Sequence, residues 1–167
     1  MSAATRAPGV STRDARPWPV TQRVLAASTA LLLAVDAYVH VRDAGLYDGA
    51  TAGYVLGQGT LFRIQAFIAA VVAVTLALRP RPWVWALAAS VAASAATAVL
   101  LYTYVDVGPL GPLPDMYEPT WALPGKAASA VAEAAATVLA LVGLGSALLA
   151  RGRRRGPGVP SRAGEGS

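Results

Sequence analysis

Residues 83–104, WVWALAASVAASAATAVLLYTY, form an apolar run of 22 residues without a formal charge. At about 1.5 Å of rise per residue, a helix of this length spans about 33 Å, enough to cross the roughly 30 Å hydrocarbon core of a bilayer. Because a chain in lipid must satisfy its own backbone hydrogen bonds, such a run forms a helix. The stretch therefore predicts a transmembrane helix.

Three further segments share this character and bring the number of predicted spans to four. They cover residues 24–41, 61–78 and 127–150, and their few charged side chains include Asp36, Arg63 and Glu133. The predicted fold class is an all-α transmembrane four-helix bundle with up-down-up-down topology. A soluble bundle is disfavoured, because four segments with so few charges offer no polar face to water.

The composition of the 167-residue chain excludes several classes of protein. Hydrophobic residues make up 55% and charged residues 14%, whereas an average soluble domain is about 25% charged. The absence of Cys excludes disulfides, thiolate metal sites and thiol redox chemistry. A single His excludes a haem held by two His ligands of this chain. No cofactor is predicted, and an enzyme is disfavoured because no Ser stands in a recognisable nucleophile arrangement.

The basic residues predict the orientation of the bundle. Eleven of the 14 Lys and Arg fall in residues 1–23, 79–82 and 151–167, which share one side of a four-span protein. By the positive-inside rule, both termini are expected in the cytoplasm and the protein in the cell membrane. Residues 1–23 and 151–167 are expected to be disordered basic tails flanking a membrane domain of residues 24–150. A cleaved signal peptide is a less favoured explanation of the first span.

The connections predict how the helices are arranged. Residues 79–82 are Arg-Pro-Arg-Pro, so the second and third spans should form an antiparallel hairpin packed side by side. The outer connections, residues 42–60 and 105–126, are longer, and the Pro-rich second one is expected to lie over the outer mouth of the bundle. Small residues at four-residue spacing in the third and fourth spans predict that these helices pack tightly against each other or against neighbouring helices.

Aromatic residues at both ends of the spans predict interfacial belts, with Trp18, Trp83 and Trp85 on the cytoplasmic side. The lipid bilayer is the expected partner, and another membrane protein or a second copy of the chain stays an open alternative. Nucleic acid is not an expected partner, because the Arg run at residues 153–155 lacks a surrounding basic and aromatic surface.

Polar side chains within the spans are the candidate functional residues. Asp36 and His40 are four apart and so share one helix face. Asp36 lies about 20 Å above the inner boundary and Glu133 about 10 Å below the outer one, which is the same level in a core of about 30 Å. His40, Arg63 and Gln65 lie slightly higher. A single polar site in the outer half of the bundle is therefore predicted from five residues: Asp36, His40, Arg63, Gln65 and Glu133. Glu133 also belongs to a stripe of the fourth span with residues 129 and 137.

Two interpretations of this site stay open, because a charge at such depth costs about 2.5–3.5 kcal/mol and needs compensation. The favoured one is a structural network in which Arg63 bridges Asp36 and Glu133, within an accessory or structural membrane subunit. The alternative is a small transporter or a ligand- or cation-binding protein that uses Asp36, His40 and Glu133, with a site that handles protons, cations or a small ligand. A metal site formed by these three residues is the least favoured version.

A set of short motifs resembles those of small four-span membrane proteins of high-GC Gram-positive bacteria, which have no assigned activity. The first span ends with His40. A Gly-Tyr pair at residues 53–54 precedes the second span, and a Leu-Phe pair at residues 61–62 begins it. A Gly-rich outer segment at residues 108–121 then precedes Glu133 in the fourth span. The chain is also similar in outline to DoxX-like four-helix membrane proteins. The resemblance implies the fold and topology and no particular reaction.

Overall fold

The computed structural model describes residues 18–49, 54 and 56–154, which form four long helices. These are α1 (Val20–Ala44), α2 (Gln58–Leu78), α3 (Pro82–Tyr104) and α4 (Lys126–Arg154). Each is long and apolar enough to cross a membrane. The all-α four-helix bundle is therefore confirmed. Residues 1–17 and 155–167, which hold most of the two predicted tails, lie outside the described residues, as does residue 53 of the Gly-Tyr motif.

The helices extend beyond the predicted spans at several ends. α1 begins at Val20 instead of residue 24, and α4 continues to Arg154 instead of residue 150. A hydropathy pattern marks only the hydrocarbon core, whereas helical hydrogen bonding continues into the interfacial layer. α3 begins at Pro82, directly after Arg81, which has an extended backbone. Proline suits the first position of a helix, because the N–H that it lacks would have no partner within the helix there.

The helices are arranged around a square in chain order. α1 packs against α2 and α4, and α3 packs closely against α4, as the small residues of those two helices predicted. The predicted side-by-side packing of α2 and α3 is only partly formed, since these two have the least contact of the four neighbouring pairs. Beyond Ala92, Thr103 is the one buried residue of α3. The two helices therefore pack at the end that carries residues 79–81 and separate toward the other.

The apolar core lies in the half of the bundle near the chain termini, which we call the terminus end. Trp85 is fully buried there, so its predicted place in an interfacial belt is wrong. Its indole N–H donates to Gln22 Oε1 at 3.1 Å, and Gln22 Nε2 donates to the backbone oxygen of Gly143 at 3.3 Å. Gln22 also contacts the hydroxyl of Ser146. One polar side chain of α1 thus ties α3 and α4 together.

The opposite end, which we call the loop end, is covered by the segment between α3 and α4. The Glu118 backbone N–H donates to the Tyr102 carbonyl at 2.8 Å. Lys126 Nζ donates to the carbonyl oxygens of Glu118 and Thr120 and lies 5.4 Å from the centre of the Trp121 ring. These contacts hold residues 105–125 across the mouth of the bundle, as the sequence predicted.

Candidate functional site

Three polar side chains meet inside the loop half of the bundle, where α1 faces α4. Asp36, His40 and Glu133 each offer one ligand-type atom, and these atoms all lie within 4.8 Å of one another. Asp36 is 0% and Glu133 1% exposed, and His40 is partly buried. Asp36 and Glu133 therefore lie at the same level of the bundle, as the helical rise predicted. We call these three residues the acidic cluster.

Ser129 joins the two carboxylates of the acidic cluster. Its hydroxyl oxygen lies 3.0 Å from Asp36 Oδ1 and 2.7 Å from Glu133 Oε1. A serine has one hydroxyl hydrogen, so it can donate to only one of these oxygens at a time. In the sequence, residue 129 shares a helix stripe with Glu133, but the predicted site did not include it. Its position one helical turn before Glu133 was the signal that could have identified it.

His40 is held against Asp36 by its own helix. His40 Nδ1 lies 2.9 Å from Asp36 Oδ1 and 3.0 Å from the Asp36 backbone oxygen. On its other side, the imidazole packs edge-on against Phe62, with 5.0 Å between ring centres. The imidazole orientation is therefore fixed by contacts from both α1 and α2.

One atom of the acidic cluster lacks a partner. Among the described residues, no group hydrogen-bonds to the buried Glu133 Oε2. A buried acceptor left unsatisfied costs about 1–3 kcal/mol, so such atoms are rare and need an explanation. A donor or a cation bound at this oxygen would supply one.

Arg63 does not bridge the two carboxylates, so this part of the predicted network is wrong. Its guanidinium instead forms two hydrogen bonds of 2.7 and 2.6 Å with Asp48 on the protein surface. The Arg63 hydrogen bond lowers the pKa of Asp48. Asp48 lies directly beside the start of α2, where a Cβ on Gly59 would collide with its carboxylate. This close approach gives Arg63 a nearer partner than the buried cluster.

The other basic side chains of the loop end are also engaged elsewhere. Arg42 pairs with Asp43 at 2.6 Å, and Lys126 is bound to backbone carbonyls. Within the described part of the chain, no Lys or Arg forms a salt bridge with Asp36 or Glu133.

Gln65 is the remaining predicted site residue, and the structure brings it near the acidic cluster. Its Nε2 lies 3.5 Å from Asp36 Oδ2, at the outer limit of a hydrogen bond. Four of the five predicted residues are thus gathered at one place: Asp36, His40, Gln65 and Glu133.

A cavity of about 430 Å³ adjoins the acidic cluster and reaches toward the loop end. This volume falls in the range of about 300–1,000 Å³ that is typical of small-molecule sites. His40, Gln65 and Glu133 contribute its deep polar part. The remaining walls are mostly apolar and come largely from α2, α3 and the covering segment, with smaller contributions from α1 and α4. The apolar lining residues include Leu61, Phe62, Ala98, Val99, Met116 and Leu123.

No protein-family model, no curated protein and no solved structure matches the chain. The class of protein is therefore defined by its own fold and site. It is a four-span helical membrane protein, in contact with the lipid bilayer, with a buried cluster of Asp36, His40 and Glu133.

Proposed function

We propose that this membrane protein binds a cation at the acidic cluster, which the cation reaches through the cavity at the loop end. The observation that carries the proposal is the pair of buried carboxylates, Asp36 and Glu133. Ser129 holds them together, and the described chain supplies no Lys or Arg to pair with them.

The charge balance favours a bound cation over a purely structural network. Carboxylates are almost never fully buried unless they are paired or bound to a metal. The bridging role expected of Arg63 would have provided that pairing, but Arg63 is bound to Asp48. The salt bridge of His40 is with Asp36, and among the described residues Glu133 keeps one oxygen without a hydrogen-bond partner, free to interact with a cation.

The direction of access follows from the predicted topology. If both termini are cytoplasmic, as the distribution of Lys and Arg predicts, the loop end faces the outside of the cell. The cavity would then admit a cation from the outer side. A protein of this kind is a cation-binding protein or a small transporter, instead of an accessory subunit with a structural polar core.

Thermal unfolding of the purified full-length protein in detergent tests the proposal. The Tm is measured with sodium, potassium, magnesium, manganese, zinc and methylammonium chlorides at constant ionic strength. A cation at a hundred times its Kd stabilises the folded state by about 2.7 kcal/mol, or roughly 5–10 °C for a chain of this size. At least one of these cations should therefore raise the Tm.

Substitutions then locate the effect. Glu133→Gln keeps the shape of the side chain and should abolish the cation-dependent rise in Tm. Glu118→Gln is the matched control: Glu118 also lines the cavity, but it lies outside the acidic cluster, so the rise should be kept. If no cation raises the Tm and Glu133→Gln simply lowers it, the cluster is structural and the proposal is wrong.

A further inference from the structure

We infer that the cation is a divalent transition metal ion, bound by one oxygen of Asp36, one ring nitrogen of His40 and one oxygen of Glu133. This inference rests on the proposed function and specifies its ligand. Three residues from two packed helices bring these donor atoms within 4.8 Å of one another.

The distances suit a single ion. Ligands bound at about 2.0–2.2 Å in a tetrahedral arrangement lie about 3.4 Å apart. Since no two of these donor atoms are more than 4.8 Å apart, each separation would need to close by at most about 1.4 Å around an ion. The helices that carry the three ligands, α1 and α4, pack directly against each other, so the ligands are held on adjoining helix faces.

The donor set selects the kind of metal. Alkali ions, Mg²⁺ and Ca²⁺ prefer oxygen ligands, whereas an imidazole suits zinc, iron, nickel and copper. One imidazole with two carboxylates supplies donor types that suit Zn²⁺, Fe²⁺ and Mn²⁺. A divalent ion would also balance the charges of two carboxylates whose side chains are 0% and 1% exposed.

An independent observation points to a ligand at this place. Glu133 is 1% exposed, and in the described residues its Oε2 has no hydrogen-bond partner. Its other oxygen is held by Ser129 at 2.7 Å, and Ser129 also contacts Asp36. Such outer hydrogen bonds are what orients carboxylates that bind metals. One oxygen of Glu133 is thus positioned by the protein, and the other is available to an ion.

Three protein ligands would leave at least one coordination position for water or another small molecule. The acidic cluster adjoins the cavity through His40 and Glu133, which both line it. The metal would therefore be accessible from the cavity, unlike a closed structural site with four protein ligands.

Titration with Co²⁺ tests the inference, because its visible ligand-field absorption reports direct coordination by protein atoms. The full-length protein is purified in detergent, treated with a chelator and titrated with Co²⁺, and Zn²⁺ is then added as a competitor. We expect one Co²⁺ per chain with an absorption that Zn²⁺ removes. Glu133→Gln and His40→Gln should each weaken Co²⁺ binding at least tenfold.

Asp48→Asn is the matched control, since this carboxylate pairs with Arg63 away from the acidic cluster; it should bind Co²⁺ like the unmodified protein. If Glu133→Gln does not fold, His40→Gln still tests the site, because His40 is less buried than Glu133 and its substitution should disturb folding less. Binding that survives both substitutions would overturn the inference. A Tm rise with only sodium, potassium or methylammonium would overturn the metal assignment and leave the proposed cation site intact.

Discussion

The contact between Trp85 and Gly143 offers a sharp test of how α3 and α4 pack. A Cβ added to Gly143 would lie 2.5 Å from Cε3 and Cζ3 of the buried Trp85 ring. An ordinary contact is at least about 3.4 Å, so Gly143→Ala would force the two helices apart or displace the indole. Gly145 lies two residues further along α4, and a Cβ there would meet no atom within 4 Å.

The expected magnitude comes from comparing these two variants. Both replace Gly by Ala within the same helix, so the gain in helix propensity of about 1 kcal/mol cancels between them. Overpacking at Gly143 costs about 1–3 kcal/mol. Displacing Trp85 also weakens its hydrogen bond to Gln22, worth about 1 kcal/mol. Gly143→Ala should therefore be less stable than Gly145→Ala by about 2–4 kcal/mol.

Thermal unfolding in detergent, followed by circular dichroism, measures this difference as a gap in Tm of the order of 10 °C. Gly145→Ala should be as stable as the unmodified protein or slightly more so. Equal Tm values for the two variants would show that Trp85 does not pack on Gly143, and the arrangement of α3 against α4 would be wrong.

Two further variants test the surroundings of the site. Ser129→Ala removes the hydroxyl that contacts both Asp36 and Glu133, so without a bound cation it should lower the stability by about 1–3 kcal/mol; an unchanged denaturation curve would contradict these contacts. Arg63→Ala should lower the Tm only slightly and leave the cation response unchanged, because its pair with Asp48 is on the surface; a lost cation response would restore the bridging role. Because Arg63 lowers the pKa of Asp48, the stabilising effect of this pair is complete above the ordinary pKa of Asp and is lost as the pH falls through the lowered value. Carbon-13 NMR of labelled Asp should show that Arg63→Ala moves this titration to higher pH.

The fold could be predicted from the sequence because lipid allows few solutions. Four apolar runs of sufficient length must become helices, and the connection at residues 79–82 makes the second and third antiparallel. The burial of Trp85, in contrast, could not be predicted from the lengths and positions of the spans. A Trp near a span boundary usually lies at the interface, but here Gly143 leaves space for the ring and Gln22 accepts its N–H. This packing depends on residues of three different helices, so the sequence of any one span does not predict it.

Part of the acidic cluster could be predicted, because the regular geometry of a helix relates sequence spacing to depth and to helix face. Helical rise alone placed Asp36 and Glu133 at one depth, and the spacing of Asp36 and His40 placed them on one face. The partner of Arg63 could not be predicted, because it depends on where the connection after α1 places Asp48. The free oxygen of Glu133 also follows only from three-dimensional contacts, although it is the atom on which the functional proposal depends.

Anomalous diffraction from crystals of the full-length protein grown with zinc tests the central claim most directly. Data collected at the zinc absorption edge should show a peak between α1 and α4, about 2.0–2.2 Å from donor atoms of Asp36, His40 and Glu133. The peak should be absent from Glu133→Gln crystals grown in the same way. Zinc bound only at surface carboxylates such as Asp48, with the acidic cluster unoccupied, would contradict the account.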